Sequence, residues 1–302
     1  MSRRTYAQAG VSLAAAEAVV ERLRAAVEST GAQGFGGFAG IQPLGGGRFL
    51  AASMDSVGTK LILARQAGRL RDAGRDLAAH CINDVLTCGA TPLFLLDYVA
   101  ANEIDLDEVG ELVEGAAEVC RDAGCGLLGG ETAELPGIYR NEELDFAGTC
   151  VGIVEERDLL DGSKVQAGDA VVGWPSAGVH ANGFTLVRRV LEQEPYEGPD
   201  LLAPTVLYQE PVRELRLRTD VRALAHITGG GILHNLERLL PAGLHAELDW
   251  DAWPRPAVFE WLARHVDEEE LRRVFNLGIG YCAVVAPGGV GGDELVIGRI
   301  EG

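Results

Sequence analysis

Short runs of aliphatic and β-branched residues alternate with amphipathic helical stretches along this chain, and glycine-rich turns separate them. Such alternation restricts the fold to sheets covered by helices, because every strand face and helix stripe must be buried against a neighbouring layer. Strands are expected at Phe49 to Met54, Leu93 to Val99, Gly126 to Leu128, Asp145 to Val154, Ala170 to Trp174 and Ala225 to Thr228. Ser12 to Glu28 carries Ala16, Val20, Leu23 and Val27 at three- and four-residue steps, which predicts a helix with Ser12 as its N-cap. Arg75 to Cys88 is a second helix, with the stripe Leu77, Cys81, Val85 and Cys88 and with Gly89 at the C′ position. Beside that stripe runs a polar one: Asp76, His80, Asn83, Asp84 and Thr87. Further helices are expected at Asp107 to Ala123, Phe184 to Glu192 and Ile232 to Leu240. The charged, turn-rich stretch from Glu155 to Gly168 divides the 302 residues into two domains.

Composition narrows the function classes. With 45 acidic and 26 basic residues the formal net charge is -19, which repels nucleic-acid backbones and anionic bilayers, and no basic run offsets it. No uninterrupted apolar run, the strand-sized Pro92 to Leu96 included, approaches the roughly 20 residues a membrane span needs. The start, Met1 to Tyr6, is not followed by the apolar core of a signal peptide, so the chain reads as cytoplasmic. Six cysteines lie among aliphatic residues without a C-x-x-C pair, and are expected to be buried, reduced thiols. Only Lys60 and Lys164 are lysines, and glycine reaches 40 residues without a G-X-Y period.

Asp55, Asn83, Asp84 and Glu131 fall at strand ends or on one helix face, and together they offer the hard oxygen donors that Mg²⁺ takes alongside phosphates. Scattered surface carboxylates fit the same spacing. Lys60, two residues after Gly58, is placed to meet a phosphate as a point charge, although no P-loop is present. Gly34-Phe35-Gly36-Gly37-Phe38-Ala39 satisfies G-x-G-x-x-A but follows a helix instead of a strand; it reads as a glycine-rich cover over a ligand or as a plain surface loop. Gly229-Gly230-Gly231, between a strand and a helix, permits close approach of an anion to the backbone. His180 and Asn182, set among glycines before a helix, are candidates for proton transfer or for capping.

Taken together, these strings resemble the phosphoribosylformylglycinamidine cyclo-ligase (aminoimidazole ribonucleotide synthetase) family. The resemblance rests on Tyr6 to Val11, Gly36-Gly37-Phe38, Asp55 through Lys60, Asn83-Asp84, Gly129 through Gly137, Asp161 to Lys164, Gly178 to Gly183, Leu201 to Thr205, His226 through Gly231 and Phe275 to Gly280, in order along almost the whole chain. It implies an α+β N-terminal domain that binds ATP and pairs with its twin in a homodimer, residues 1–157, and a C-terminal α/β domain, residues 165–302. It also implies an ATP- and Mg²⁺-dependent ring closure in purine biosynthesis: formylglycinamidine ribonucleotide becomes 5-aminoimidazole ribonucleotide, with release of ADP and phosphate. On the resemblance, Asp55, Asn83, Asp84 and Glu131 hold the metal. Gly34, Gly36, Gly37, Gly58, Thr59 and Lys60 meet the nucleotide, with Lys60 also among the catalytic groups. His180 and Asn182 face the reacting formyl group, and Gly229, Gly230 and Gly231 receive a phosphate.

The chain departs from the family where Ser56 stands in place of a glycine, where Val206 and Gln209 replace basic residues, and at Trp174-Pro175. Competing readings are a related ATP-dependent enzyme, such as thiamine-monophosphate kinase or selenophosphate synthetase, and a non-catalytic nucleotide sensor. The first lacks the Gly-x-His-x-Asn-Gly string, the second needs a reactive cysteine near its start, and the sensor would have lost the acidic positions.

Overall fold

A computed structural model describes residues 4–32 and 35–302. Helix α1 (Leu13–Glu28) is capped by Ser12, whose hydroxyl accepts from Ala15 N. The first half then runs β1 (Gly40–Gly45), β2 (Arg48–Ser56), α2 (Lys60–Gln66), α3 (Leu70–Thr87), β3 (Thr91–Ala101), α4 (Leu106–Asp122), β4 (Gly126–Glu134) and β5 (Leu144–Glu155). Its strands lie in the order β1-β2-β5-β3-β4, with only the β3–β4 pair parallel. That pair is bridged by α4, the crossover a parallel pair requires. Helix α4 starts at Asp105, which caps two backbone N–H groups, and ends where left-handed Gly124 lets Cys125 N reach Cys120 O at 2.8 Å.

The second half contains β6 (Ala170–Pro175), α5 (Phe184–Leu191), α6 (Gln209–Arg218), β7 (Val221–His226), α7 (Gly231–Glu237), β8 (His245–Leu248), α8 (Ala257–Leu262), α9 (Glu268–Val274), β9 (Ile279–Val285) and β10 (Val296–Glu301). These strands are ordered β7-β9-β6-β10-β8, and their pairings are antiparallel. Strand β9 is an interior strand, between β7 and β6, and is buried along its whole length, so its sequence is continuously apolar instead of alternating.

Helix α3 sets the relation between the halves. Fifteen of its 18 residues are buried, which requires cover on both sides. Leu77, Cys81 and Val85 pack on the first sheet in a core that also takes in Tyr208, Val212, Leu224 and Tyr281 from the second half. The polar stripe therefore faces protein, at the seam between the halves. The segment before β1 also crosses over: Arg4 N bonds His265 O at 2.8 Å, Tyr6 N bonds Glu270 Oε1 at 2.6 Å, and Phe38 joins the core around Val171 and Ile232.

The opposite face of the first sheet has no helix over it. Met54, Thr149 and Leu96 lie in register across β2, β5 and β3, alternating with the buried row Ser53, Cys150 and Leu95. Met54 is 68% exposed and Leu128 67%, well above the exposure of an ordinary strand side chain against a core.

Candidate active site

Each member of the α3 polar stripe is held at the seam. Asp76, fully buried, accepts from Thr205 N and Thr205 Oγ1 at 2.8 and 2.7 Å, and its second oxygen lies 2.6 Å from Lys60 Nζ. Lys60 also donates to Ala203 O at 2.9 Å and is itself fully buried. The expected phosphate contact from Lys60 meets a different placement: its ammonium is engaged by a buried carboxylate and a backbone carbonyl, and it ties α2 and α3 to residues 203–205. Asn83 is held in the same way. Its amide donates to Val206 O at 2.8 Å and accepts from Tyr208 N at 3.0 Å, which makes it a clasp on the second half. Thr59 also reaches across, its hydroxyl 2.9 Å from that of Thr185, while Gly58 is exposed at the turn before α2.

Farther along the helix two carboxylates meet two imidazoles. Asp84 Oδ1 lies 2.8 Å from His226 Nδ1, and Ser53 Oγ donates to Asp84 Oδ2 at 2.8 Å. Asp55 Oδ2 lies 3.2 Å from His80 Nε2, with the Asp55 side chain 39% exposed at the rim. The rings of His80 and His226 stack edge to face at 4.6 Å. Burial pushes the Asp84 carboxyl up to about 7, with the Asp55 charge adding to the shift and His80 opposing it. Burial also holds His226 down at about 3 and keeps His80 and His180 below the usual histidine range. These imidazoles are therefore neutral at pH 7.

Glu131 does not join Asp55 and Asp84. In the sheet register it aligns through Tyr98 and Ala147 with Ser56, three strand spacings from the Asp55 end of β2, roughly 14 Å. Among the described residues no group of three or more His, Cys, Asp or Glu side chains is close enough to hold a metal ion. Of the expected set of four, Asp55 and Asp84 lie at the two-histidine cluster, Asn83 clasps residues 206–208 and Glu131 stands apart. Ser56 lies within β2, so it carries no left-handed strain, and its N–H donates to Asp55 Oδ1 at 2.7 Å.

A chamber of about 890 Å³ opens beside this cluster, lined among others by Arg24, Phe35, Gly229, Gly230, Arg238 and Arg273. Arg238 closes one side: its Nη2 donates to Gly36 O and Gly37 O at 2.6 and 2.9 Å, and its guanidinium lies 4.3 Å above the Phe38 ring. Gly36 and Gly37 therefore do form a wall of the chamber, whereas Gly34 lies outside the described residues. The three glycines before α7 differ in purpose. A Cβ on Gly231 would stand 1.9 Å from Arg272 O, so that glycine permits α7 to pack on α9; one on Gly230 would meet the His234 ring at 2.5 Å. Only Gly229 is open, with Asn182 Oδ1 at 3.7 Å as its nearest neighbour. Asn182 thus lies next to Gly229, one of the lining residues. His180 is buried in a left-handed conformation (φ 62°), Nε2 accepting from Ala177 N at 3.1 Å, which puts its proton on Nδ1.

Sequence reading missed the arginines. Positions 24, 238 and 273 form no basic run, and only the docking of α1, α7 and α9 brings them to one concavity.

Comparison with known proteins fits this architecture. The AIR synthase related protein N-terminal domain is matched over residues 36–154 and the C-terminal domain of the same name over residues 166–288; the chain belongs to the AIR synthase related family. Within it, the chain is 47% identical over 303 residues to the phosphoribosylformylglycinamidine cyclo-ligase of Synechococcus sp. strain CC9605, covering 93% of this chain and 88% of the relative. It is 47% identical to the enzyme of the same name from Sorangium cellulosum strain So ce56, covering 94% and 88%. Among solved structures, thiamine monophosphate kinase from Aquifex aeolicus shares the fold at a TM-score of 0.65 and 17% identity, covering 97% of this chain and 96% of that one. The hydrogenase maturation protein HypE, solved in complex with ATP, gives 0.64 and 21%, covering 87% and 79%.

Proposed function

We infer that this chain closes the imidazole ring of 5-aminoimidazole ribonucleotide from formylglycinamidine ribonucleotide, using ATP with Mg²⁺ and releasing ADP and phosphate, and that the reaction takes place in the chamber between α1, the Gly229–Gly230 turn and α9. The single observation that carries the reading is near-full-length identity of 45–47% to relatives that bear this enzyme's name. A formamide oxygen is a poor leaving group. Phosphorylating it gives an iminophosphate from which the substrate's own amidine nitrogen expels phosphate as the ring forms, so the protein's task is to position and to neutralise charge.

Asp55 at the rim and Asp84 behind it fit Mg²⁺, which takes one or two protein carboxylates and completes its shell with phosphates and water. Asp84, raised by burial, is a carboxyl that an adjacent cation would convert to its ionised form. Bound there, Mg²⁺ would offset the phosphate charge during transfer. Asn182 is a polar side chain beside Gly229 and would orient the formyl group. His180, neutral with its proton on Nδ1, would supply a hydrogen-bond donor, not a charge. Gly36, Gly37, Gly229 and Gly230 would line the bound reactants, while Glu131 would serve only if a second chain brought it near a metal.

The uncovered apolar face around Met54, Leu96 and Leu128 supports a homodimer formed sheet to sheet. Small-molecule chemistry and six free buried cysteines support work in the cytoplasm. The test is a coupled assay with purified chain, formylglycinamidine ribonucleotide, ATP and Mg²⁺; ATP-dependent appearance of the aminoimidazole is expected, and its absence at every Mg²⁺ concentration overturns the reading.

A further inference from the structure

Three arginines line the chamber, and they are not equivalent. Arg24 is neutralised by Glu21 at 3.0 Å and Glu28 at 3.6 Å. Arg238 spends one nitrogen, Nη2, on the Gly36 and Gly37 carbonyls and makes no direct ion pair with a carboxylate among the described residues. Arg273 has neither a hydrogen bond nor an ion pair among the described residues, although the adjacent Arg272 is held by Glu268 at 2.8 Å. Glu21, already paired, is the one carboxylate among the described lining residues. Within a chain of net charge -19, this wall concentrates positive charge, and the buried Asp84 is the carboxyl group whose field reaches Arg238.

The placement of Arg273 is also fixed by packing. Because Gly231 lacks a Cβ, α7 can lie against the backbone at Arg272, and that contact sets the last turn of α9 beside Gly229 and Gly230. The result is two guanidinium groups, with N–H pairs that match phosphate oxygens, next to a backbone stretch where Gly229 leaves open space.

We propose that Arg273 and Arg238 form the seat for a phosphate group in this chamber, Arg273 as the direct ligand and Arg238 as both ligand and tether of the Gly36–Gly37 wall. The proposal rests on the cyclo-ligase reading, in which both reactants carry phosphate: the ribonucleotide as a 5′-monoester and ATP as its triphosphate. The two sources share one chemistry and are separated by the experiment.

Arg273→Ala and Arg273→Lys are made in the full chain, and KM is measured for each reactant with the other saturating. Arg273→Ala is expected to raise KM about tenfold or more for the reactant whose phosphate sits there, with kcat within about threefold and the thermal midpoint unchanged. The lysine variant recovers part of the loss, since it keeps the charge but not the fork. A rise confined to the ribonucleotide assigns its 5′-phosphate to the seat, and a rise confined to ATP assigns the nucleotide. As a readout independent of turnover, ribose 5-phosphate and ATP are each titrated while thermal stability is followed in wild type and Arg273→Ala. Unchanged KM values and unchanged stabilisation by both probes overturn the proposal, as does a uniform loss that tracks a lowered thermal midpoint. If the wild type makes no aminoimidazole yet is stabilised by either probe in an Arg273-dependent way, the function reading fails and the phosphate seat stands.

Discussion

Lys60 Nζ lies 2.6 Å from Asp76 Oδ2 with both side chains shut off from water, so the lysine that sequence marks as a phosphate ligand is half of a buried ion pair within the first half, which Ala203 and Thr205 of the second half complete by hydrogen bonds. Removing one partner strands the other charge, whose desolvation is then uncompensated. Lys60→Met is expected to lower stability by about 3–5 kcal/mol in urea denaturation. Asp76→Leu should do the same, and the double variant should lose clearly less than the sum of the two. Additive losses would mean that the pair is not coupled.

Asp55 and Asn83 should separate binding from folding. Asp55, 39% exposed at the rim, can lose its charge without disturbing the core. Asp55→Asn is expected to keep its thermal midpoint while kcat/KM for Mg²⁺-ATP falls about tenfold or more. Asn83→Ala removes two hydrogen bonds to residues 206–208 and leaves buried backbone groups unpaired. It should cost about 2–4 kcal/mol of stability, read by denaturant unfolding.

Two neighbouring glycines should give opposite results. Gly231→Ala places a methyl group 1.9 Å from Arg272 O at a φ of 72°, and should push α7 off α9 with a loss of more than about 1 kcal/mol. Gly229→Ala meets nothing nearer than 3.7 Å, so it should fold normally and reduce turnover by crowding the chamber. Thermal melts and steady-state kinetics on both variants check this contrast.

The buried histidines make a prediction for acid stability. His80, His180 and His226 are all held below 6.5 by burial, His226 at about 3, so the unfolded chain binds protons that the folded chain refuses. Their contribution is complete above about pH 6.5 and is lost as pH falls. Asp84, raised from 3.8 to about 7, acts in the opposite sense: its contribution is complete at low pH and is lost as pH rises through about 7. With three groups against one, unfolding free energy should fall between pH 6.5 and 5, by on the order of 1–3 kcal/mol per pH unit. Denaturant unfolding across that range measures the slope, and His180→Gln should reduce it.

The uncovered sheet face predicts association. Met54→Asp puts a charge in the row shared with Thr149 and Leu96. If two chains pack there, sedimentation should register dimer for the parent and monomer for the variant at micromolar concentration. A monomeric parent would leave the face to some other use.

Much of the molecule is legible from its residues. The helix beginning after Ser12, the strand ending at Asp55, the helix closed by Gly89 and the turn before the second-half helix at Gly231 all follow local patterns, and the structure carries them with shifts of a few residues. Short helices such as α8 and α9, and the later strands β8 and β10, escaped because segments of four to seven residues hold too few periods to announce themselves.

The sequence by itself determined the layered architecture, the family and the reaction, since apolar periodicity and glycine placement act locally and the family strings are contiguous. Which polar residues face the chamber was decided only in three dimensions. Lys60, Asn83 and Asp84 share the same neighbourhood in sequence logic, yet burial at the seam converts the first two into clasps and leaves Asp84 against His226. Arg238 and Arg273, inconspicuous along the chain, gain their role because α7 and α9 pack through a position without a side chain. Burial and long-range proximity set the free energy of a charged group, and neither is encoded in its immediate neighbours.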